Sequence, residues 1–328
     1  MRSVWQVLAV FSLAWHLAAA PPKLADRTLR IPVWSDAKDG PPLAAKDLSA
    51  TLAGKPAPVL DVQGPHDGLM LIVVLDLAGD LSLAETAKAA LASDVGKLPP
   101  PVTVAVMRAQ DGPKVLADPG PDRAPAITAI RDLPVSGKAG LLDTLDTVEG
   151  LADSILEKSS VRVAVLYVTD SDVENYREDY TNPVINSSDT HDLSRRFPET
   201  LIEDKISKMA AALAPRQTPL FVVHLRYRSD RLGEAYQSGL QQLAEVTGGS
   251  AIFCRSSEEI ADAIAHALDL ITSSYSVSLA LPPRPPRSFE VRLEARDKDT
   301  LTYRTRFVLK AHRGAVSARR QGGRNSLE

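Results

Sequence analysis

Seven consecutive apolar residues, Leu69-Met70-Leu71-Ile72-Val73-Val74-Leu75, end on Asp76 and are followed by Leu77-Ala78-Gly79-Asp80. The run is too short to span a bilayer, which takes roughly 20 apolar residues. It also has no solvent face, so it predicts a strand buried on both sides in a parallel sheet. The first carboxylate after such a strand falls at the C-terminal edge of the sheet, where open α/β sheets bind ligands. The pattern recurs between Val161 and Asp170, where a second β-rich run again stops on an aspartate. Two strand-end carboxylates on one edge are placed to share one cation.

The spacing around these runs alternates between periods. Leu81 to Leu98 and Leu141 to Leu156 carry apolar stripes at helical spacing, and Val102–Met107 reads as a strand turned by Asp111-Gly112 into a second, Lys114–Ala117. After Asp170 comes a long polar loop to about Pro198. A helix from Glu199 to Ala214 follows, then a strand Pro219–Leu225, a helix stopped at Gly248-Gly249, a strand Ala251–Phe253 and a helix from Glu258 to about Ile271. Strands alternating with helices predict βαβ units and a mainly parallel, doubly wound α/β sheet. Both flanks are β-rich. Leu29–Trp34, Leu48–Leu52 and Pro58–Val62 predict a short N-terminal meander, and Tyr275–Leu281, Phe289–Leu293 and Leu301–Leu309 predict three C-terminal strands. The two flanks can pair into one small β-sandwich. The expected organisation is a signal segment over 1–20, an N-terminal β segment over 21–66, the α/β domain over 67–274, a C-terminal β segment over 275–311, and a disordered tail over 312–328.

The N-terminus reads as an export signal: Arg2, then an apolar stretch from Val4 to Trp15, then Ala18-Ala19-Ala20. Pro21 disfavours cleavage directly after the alanines, so either the cut falls earlier or the segment stays as an anchor. No cysteine follows, which excludes lipoprotein anchoring. The expected location is periplasmic, envelope-associated or secreted, with membrane contact only through an uncleaved signal segment. A net charge of -3 with interspersed basic residues gives no electrostatic case for nucleic acid. The single cysteine, Cys254, excludes an internal disulfide or a cysteine-based zinc site, and its strand context predicts a buried small side chain.

Asp76, Asp80 and Asp170 are the candidate metal ligands, because Mg²⁺ is typically held by one or two carboxylates with waters. Asp80 also has the position of a helix N-cap. The loop after Asp170 adds Asp172, Glu174, Glu178, Asp179, Asp189, His191 and Asp192, read as a solvated acidic loop, with Tyr176 and Tyr180 suited to protein contact. No nucleophile elbow, phosphate loop, dinucleotide fingerprint or His-Glu-x-x-His motif occurs, and His224 and His266 read as structural. No catalytic residue and no organic cofactor is assigned.

The order strand-Asp, helix, hairpin, helix, strand-Asp, with Gly137-Lys138-Ala139-Gly140-Leu141-Leu142-Asp143-Thr144-Leu145 between, resembles a von Willebrand factor A (vWA) domain. The flanks are similar to the bacterial VWFA-related domain family, through the turn Ala53-Gly54-Lys55-Pro56 and the strand Tyr275-Ser276-Val277-Ser278-Leu279. The resemblance covers about Leu29 to Leu309 and implies a Rossmann-like fold, a protein partner and a metal-ion-dependent adhesion site. Against that site's pattern, Asp76 and Asp170 match, Ala78 and Asp80 replace two serines, and Ala139 stands where a threonine is expected. Two hydroxyl ligands are lost, so any Mg²⁺ or Mn²⁺ site is expected to be degenerate, weak or absent. The implied function is an exported, non-catalytic protein-binding or adhesion module. The alternative is a structural or scaffolding protein of the cell envelope with an inert sheet edge, and a metal-dependent hydrolase is a distant third.

Overall fold

The computed structural model describes residues 28–36, 42–171, 198–297 and 299–310. The signal segment, the acidic loop from 172 to 192 and the tail 312–328 lie outside the described residues, as do the expectations placed on them.

The central sheet has six strands in the order β10-β9-β8-β5-β6-β7. They are β5 (Leu69–Asp76), β6 (Val102–Arg108), β7 (Lys114–Gly120), β8 (Arg162–Thr169), β9 (Leu220–His224) and β10 (Ser250–Phe253). All neighbours are parallel except the hairpin β6–β7. The five-residue connection, 109–113, passes through Asp111 and Gly112 at φ 56° and 98°, left-handed conformations that aspartate and glycine tolerate.

Side-chain alternation on β5 builds a core on each face. Leu71, Val73 and Leu75 pack with Ala87 and Leu91 of α1 (Leu81–Lys97), Ile130 of α2 (Ala124–Arg131), and Ile264 and Leu268 of α6 (Ile260–Ser273). Ile72 and Val74 pack with Leu145 and Val148 of α3 (Leu141–Lys158), Ile206 of α4 (Pro198–Leu213), and Leu240 and Leu243 of α5 (Arg231–Thr247). The sheet is therefore doubly wound, and a strand covered on both sides needs the unbroken apolar run seen in the sequence. Helix α5 starts on Asp230, whose carboxylate accepts the Gly233 N–H, and stops at Gly248, left-handed at φ 94°. Sequence reading placed no helix between the Lys114–Ala117 strand and Leu141, where α2 lies. The signal for α2 is a proline in its first turn, but with only two buried residues its apolar stripe is too short to show a period.

The flanks form two four-stranded sheets around a third core. One runs β13-β1-β11-β4, with β1 Thr28–Ser35, β4 Val59–Gln63, β11 Tyr275–Ala280 and β13 Leu301–Tyr303. The other runs β14-β12-β2-β3, with β2 Leu48–Leu52, β3 Lys55–Pro56, β12 Ser288–Ala295 and β14 Arg306–Val308. Ile31, Leu52, Leu279, Val291 and Phe307 meet between the sheets.

This corrects two expectations. The N-terminal strands are no meander: β1 and β4 both flank β11, while β2 pairs with β12 in the facing sheet. A three-stranded meander would leave its apolar face bare, and splitting the strands between two sheets buries it. Leu301–Leu309 is likewise not one strand, since β13 joins the first sheet and β14 the second.

The sandwich sits where the parallel strands begin. The Trp34 indole N–H donates to the Leu270 carbonyl at 2.8 Å, and the Arg304 guanidinium donates to the carbonyls of Ala214 and Arg216 at 2.6 and 3.1 Å. The opposite edge, where β5 and β8 end, is left to the loops that carry the aspartates. No helix among the described residues is long and apolar enough to cross a membrane.

Candidate functional site

Asp76 and Asp170 fall at the same edge because β5 and β8 are adjacent, with Asp76 opposite Thr169. That register has a consequence for direction. Val165 and Tyr167 on β8 face the α3 side and Leu166 and Val168 the α1 side, so by alternation Thr169 belongs with α3 and Asp170 with α1. Asp76 has the parity of Ile72 and Val74 and faces α3 as well. The two carboxylates are consequently aimed at different loops.

Asp76 is fully buried. Its Oδ1 accepts the Gly140 N–H at 2.8 Å, and its Oδ2 accepts the Leu141 N–H at 3.0 Å, the Ser171 hydroxyl at 2.8 Å and the Thr169 hydroxyl at 3.2 Å. Two of these donors are the free N–H groups that open α3, so a strand-end side chain caps a helix distant in sequence and neutralises its positive end. Burial raises the pKa of the Asp76 carboxyl, and the bonds from Gly140, Ser171, Leu141 and Thr169 oppose that rise.

Asp170 serves the other face. Its Oδ1 accepts the Ala78 N–H at 2.8 Å, and its Oδ2 accepts those of Gly79 and Asp80 at 2.9 and 2.6 Å. Three successive N–H groups of the β5–α1 loop thus converge on one carboxylate. Gly79 fits this approach, since a Cβ there would meet Asp170 Oδ2 at 3.3 Å. Asp80 caps α1, its Oδ1 accepting the N–H groups of Ser82 and Leu83 at 2.9 and 3.2 Å. Asp80→Ala is therefore expected to cost about 1 kcal/mol in denaturant unfolding, with Asp80→Asn costing less. Equal stability of Asp80→Ala and the parent protein would contradict the cap.

These bonds bear on metal binding. A carboxylate has about four lone-pair sites. Asp76 receives four donors, Asp170 three and Asp80 two. Few sites remain to build the near-octahedral oxygen shell that Mg²⁺ demands, and Ala78 and Ala139 supply no oxygen. The donor set does not fit a hard cation unless several N–H bonds are given up. Among the described residues, no group of three or more His, Cys, Asp and Glu side chains is arranged to hold a metal ion.

Three further residues belong to this edge, and sequence reading assigned none of them to it. Thr169 and Ser171 join hydroxyls at 2.7 Å beneath Asp76, and the Gln110 amide donates to the Leu77 carbonyl at 2.8 Å. The signal for Thr169 was its parity with Tyr167. Nothing in the sequence marked Gln110. His224, at the end of β9, is buried with Nε2 at 2.8 Å from the Ser171 carbonyl, while its Nδ1 accepts the Arg226 N–H at 3.3 Å. These bonds set the neutral tautomer with the proton on Nε2. Cys254 is buried, and desolvation pushes its thiol up to about 11.

Two adjacent parallel strands ending on aspartates, with helices on both faces and an antiparallel hairpin on one edge, form the arrangement that the sequence resemblance implied. In strand order and connectivity the α/β domain resembles a von Willebrand factor A domain. No family model matches the chain, and no curated protein does. Solved structures match at low identity. A von Willebrand factor type A protein from Catenulispora acidiphila is 12% identical at a TM-score of 0.41, over 88% of this chain and 76% of that one. BatB from Bacteroides thetaiotaomicron is 17% identical at 0.37, over 62% of this chain and 100% of that one. The vWF domain of the type V pili tip protein Mfa5 from Porphyromonas gingivalis is 15% identical at 0.41, over 62% of this chain and 95% of that one. None of these likenesses bears on what this vWA-like domain binds.

Proposed function

We propose that this chain is an exported, non-catalytic protein-binding module whose vWA-like edge engages its partner without a bridging cation. The observation that carries this reading is the commitment of Asp76 and Asp170 to backbone N–H groups, which leaves the edge electrostatically closed. A partner carboxylate arriving there finds few open metal-ligand positions to complete.

The same edge offers contacts of another kind. Leu81, just after the Asp80 cap, is 64% exposed, and Tyr227, after β9, is 40% exposed with the Arg255 guanidinium 5.7 Å from its ring centre. An aromatic under an arginine is a pair of residue types that protein interfaces favour, and Leu81 adds exposed apolar area beside the cap. Catalysis finds little support: His224 spends both nitrogens on backbone groups, and the Ser171 hydroxyl donates to Asp76 rather than to the imidazole. Export is carried by the N-terminal signal pattern alone.

The test is capture from an envelope extract in Mn²⁺ and in EDTA, with the Leu81→Asp, Tyr227→Ala double variant beside the parent chain. Equal recovery in both buffers, lost in the double variant, is the expected result. Recovery that collapses in EDTA overturns the cation-independent reading. Ala78→Ser with Ala139→Thr restores the two missing hydroxyls and serves as a comparator, expected to gain Mn²⁺ affinity by calorimetry over a parent that shows little. A parent binding as tightly as this variant would show that Asp80 has replaced the lost ligands.

A scaffolding role has one observation of its own. Strand β4 is an edge strand of the sandwich, and its Leu60 is 50% exposed, a template for pairing with another chain. Self-association in sedimentation that Leu60→Lys abolishes would favour it over the binding module.

A further inference from the structure

Two loops meet at the C-terminal edge of the sheet, on the β9 and β10 side of the aspartates. The β9–α5 loop carries Arg226, Tyr227 and Arg228, and the loop after β10 carries Arg255. The Tyr227 N–H joins them, donating to the Cys254 carbonyl at 2.7 Å. The first loop is held on both sides of that bond. The Arg226 N–H donates to His224 Nδ1 at 3.3 Å, the Arg228 N–H donates to the Gln237 side-chain oxygen at 2.9 Å, and the Gln237 amide donates back to the Arg228 carbonyl at 2.8 Å. Three successive N–H groups thus have acceptors, so the side chains they carry stand on a fixed backbone. Pre-organisation of this kind lowers the entropic cost of binding.

Arg226, Tyr227 and Arg255 are exposed, and the Arg255 guanidinium lies 5.7 Å from the centre of the Tyr227 ring. Three carboxylates share the two loops. Asp230 is committed to the Gly233 N–H at 2.9 Å and to Arg228 Nε at 2.7 Å. Glu259 accepts the Arg255 backbone N–H at 2.8 Å, and Glu258 is bonded by the Ser256 side chain. Among the described residues, no carboxylate is hydrogen-bonded or ion-paired to the guanidinium of Arg226 or of Arg255. Two exposed guanidinium forks therefore keep their donors for a ligand. Such a fork makes two parallel bonds to a carboxylate, which a compact ammonium cannot do.

We propose that Arg226 and Arg255, together with Tyr227, form a receptor for an acidic segment of the partner protein, whose carboxylates meet guanidinium groups directly rather than through a cation. This receptor presupposes the cation-independent binding role proposed for the edge, and it fixes the chemistry of the partner. An acidic peptide suits these loops better than a nucleic acid does. A phosphodiester backbone is charged at every nucleotide, so from the two arginines it would run onto Glu258, Glu259 and Asp80. One or two side-chain carboxylates meet no such repulsion, and the exposed apolar area of Leu81 and Tyr227 gives the rest of a peptide something to cover.

The test titrates the full chain into fluorescently labelled poly-L-glutamate in EDTA, read by anisotropy, with labelled duplex DNA as a second probe. Saturable binding of poly-L-glutamate is expected, tighter than that of DNA and weakening about tenfold as salt rises from about 50 to about 300 mM. The Arg226→Gln, Arg255→Gln double variant is expected to lose about tenfold in affinity at low salt. Both positions are exposed, and a thermal melt matching the parent's checks the fold; should the pair fail to fold, the single substitutions decide. No binding of poly-L-glutamate, binding unchanged in the variant, or DNA bound as tightly as the peptide overturns the proposal. Capture from envelope extract separates this failure from that of the role it presupposes. Recovery that is equal in Mn²⁺ and EDTA but unchanged in the arginine variant overturns the acidic receptor alone, whereas recovery that collapses in EDTA overturns the cation-independent role itself.

Discussion

Asp76→Ala is expected to destabilise the protein by about 3 kcal/mol, the largest loss of any single side chain at the sheet edge. The Gly140 and Leu141 N–H groups are buried and have the Asp76 carboxylate as acceptor, so removing it leaves two donors at the head of α3 unsatisfied. The Thr169 and Ser171 hydroxyls lose less, because their oxygens lie 2.7 Å apart and one can donate to the other once Asp76 is gone. Asp76→Asn should fall between parent and alanine, since its amide oxygen can accept on one side while its NH₂ opposes donors on the other. Urea unfolding of the three proteins checks the order. An alanine variant within 0.5 kcal/mol of the parent, a difference typical of surface substitutions, would show that the carboxylate does not hold α3 in place.

Glu149→Gln is expected to act in the opposite direction, stabilising the protein at neutral pH. Glu149, in the middle of α3, is fully buried, and neither carboxyl oxygen has a hydrogen-bond partner among the described residues. Burial pushes its pKa well up, Asp153 and Asp146 add repulsion, and Arg216 only partly offsets them. A carboxyl whose folded pKa lies above its unfolded value holds its proton more tightly in the folded state. It therefore costs nothing below the unfolded pKa, near 4.5, and its penalty grows as pH rises from there through the folded pKa. The advantage of Glu149→Gln should accordingly be small at pH 4 and widen toward pH 8. A stability difference that does not change between those pH values would mean that Glu149 is ionised at no cost.

Much of the architecture was legible because its cause is local. The apolar run Leu69–Leu75 has no solvent face, so it could only be a central strand. Gly248 ended α5 because a left-handed residue closes a helix, and Asp111-Gly112 made a hairpin for the same conformational reason. The seam between the two domains was less legible. Lys310 reaches Asp153 at 3.1 Å and Glu157 at 3.0 Å, a contact between chain segments far apart in sequence that no periodicity encodes.

The site divides along the same line. Sequence alone determined that Asp76 and Asp170 end buried strands, that both reach the C-terminal edge of one sheet, and that Ala78 and Ala139 bring no oxygen to it. Only the tertiary structure decided where the carboxylates point. The pairing of Asp76 with Thr169 sets Asp170 one residue out of phase, and in a pleated strand one residue is the difference between the two faces of a sheet. Register is a property of two strands side by side, fixed by helices packed on both of their faces, and neither strand carries it in its own residues.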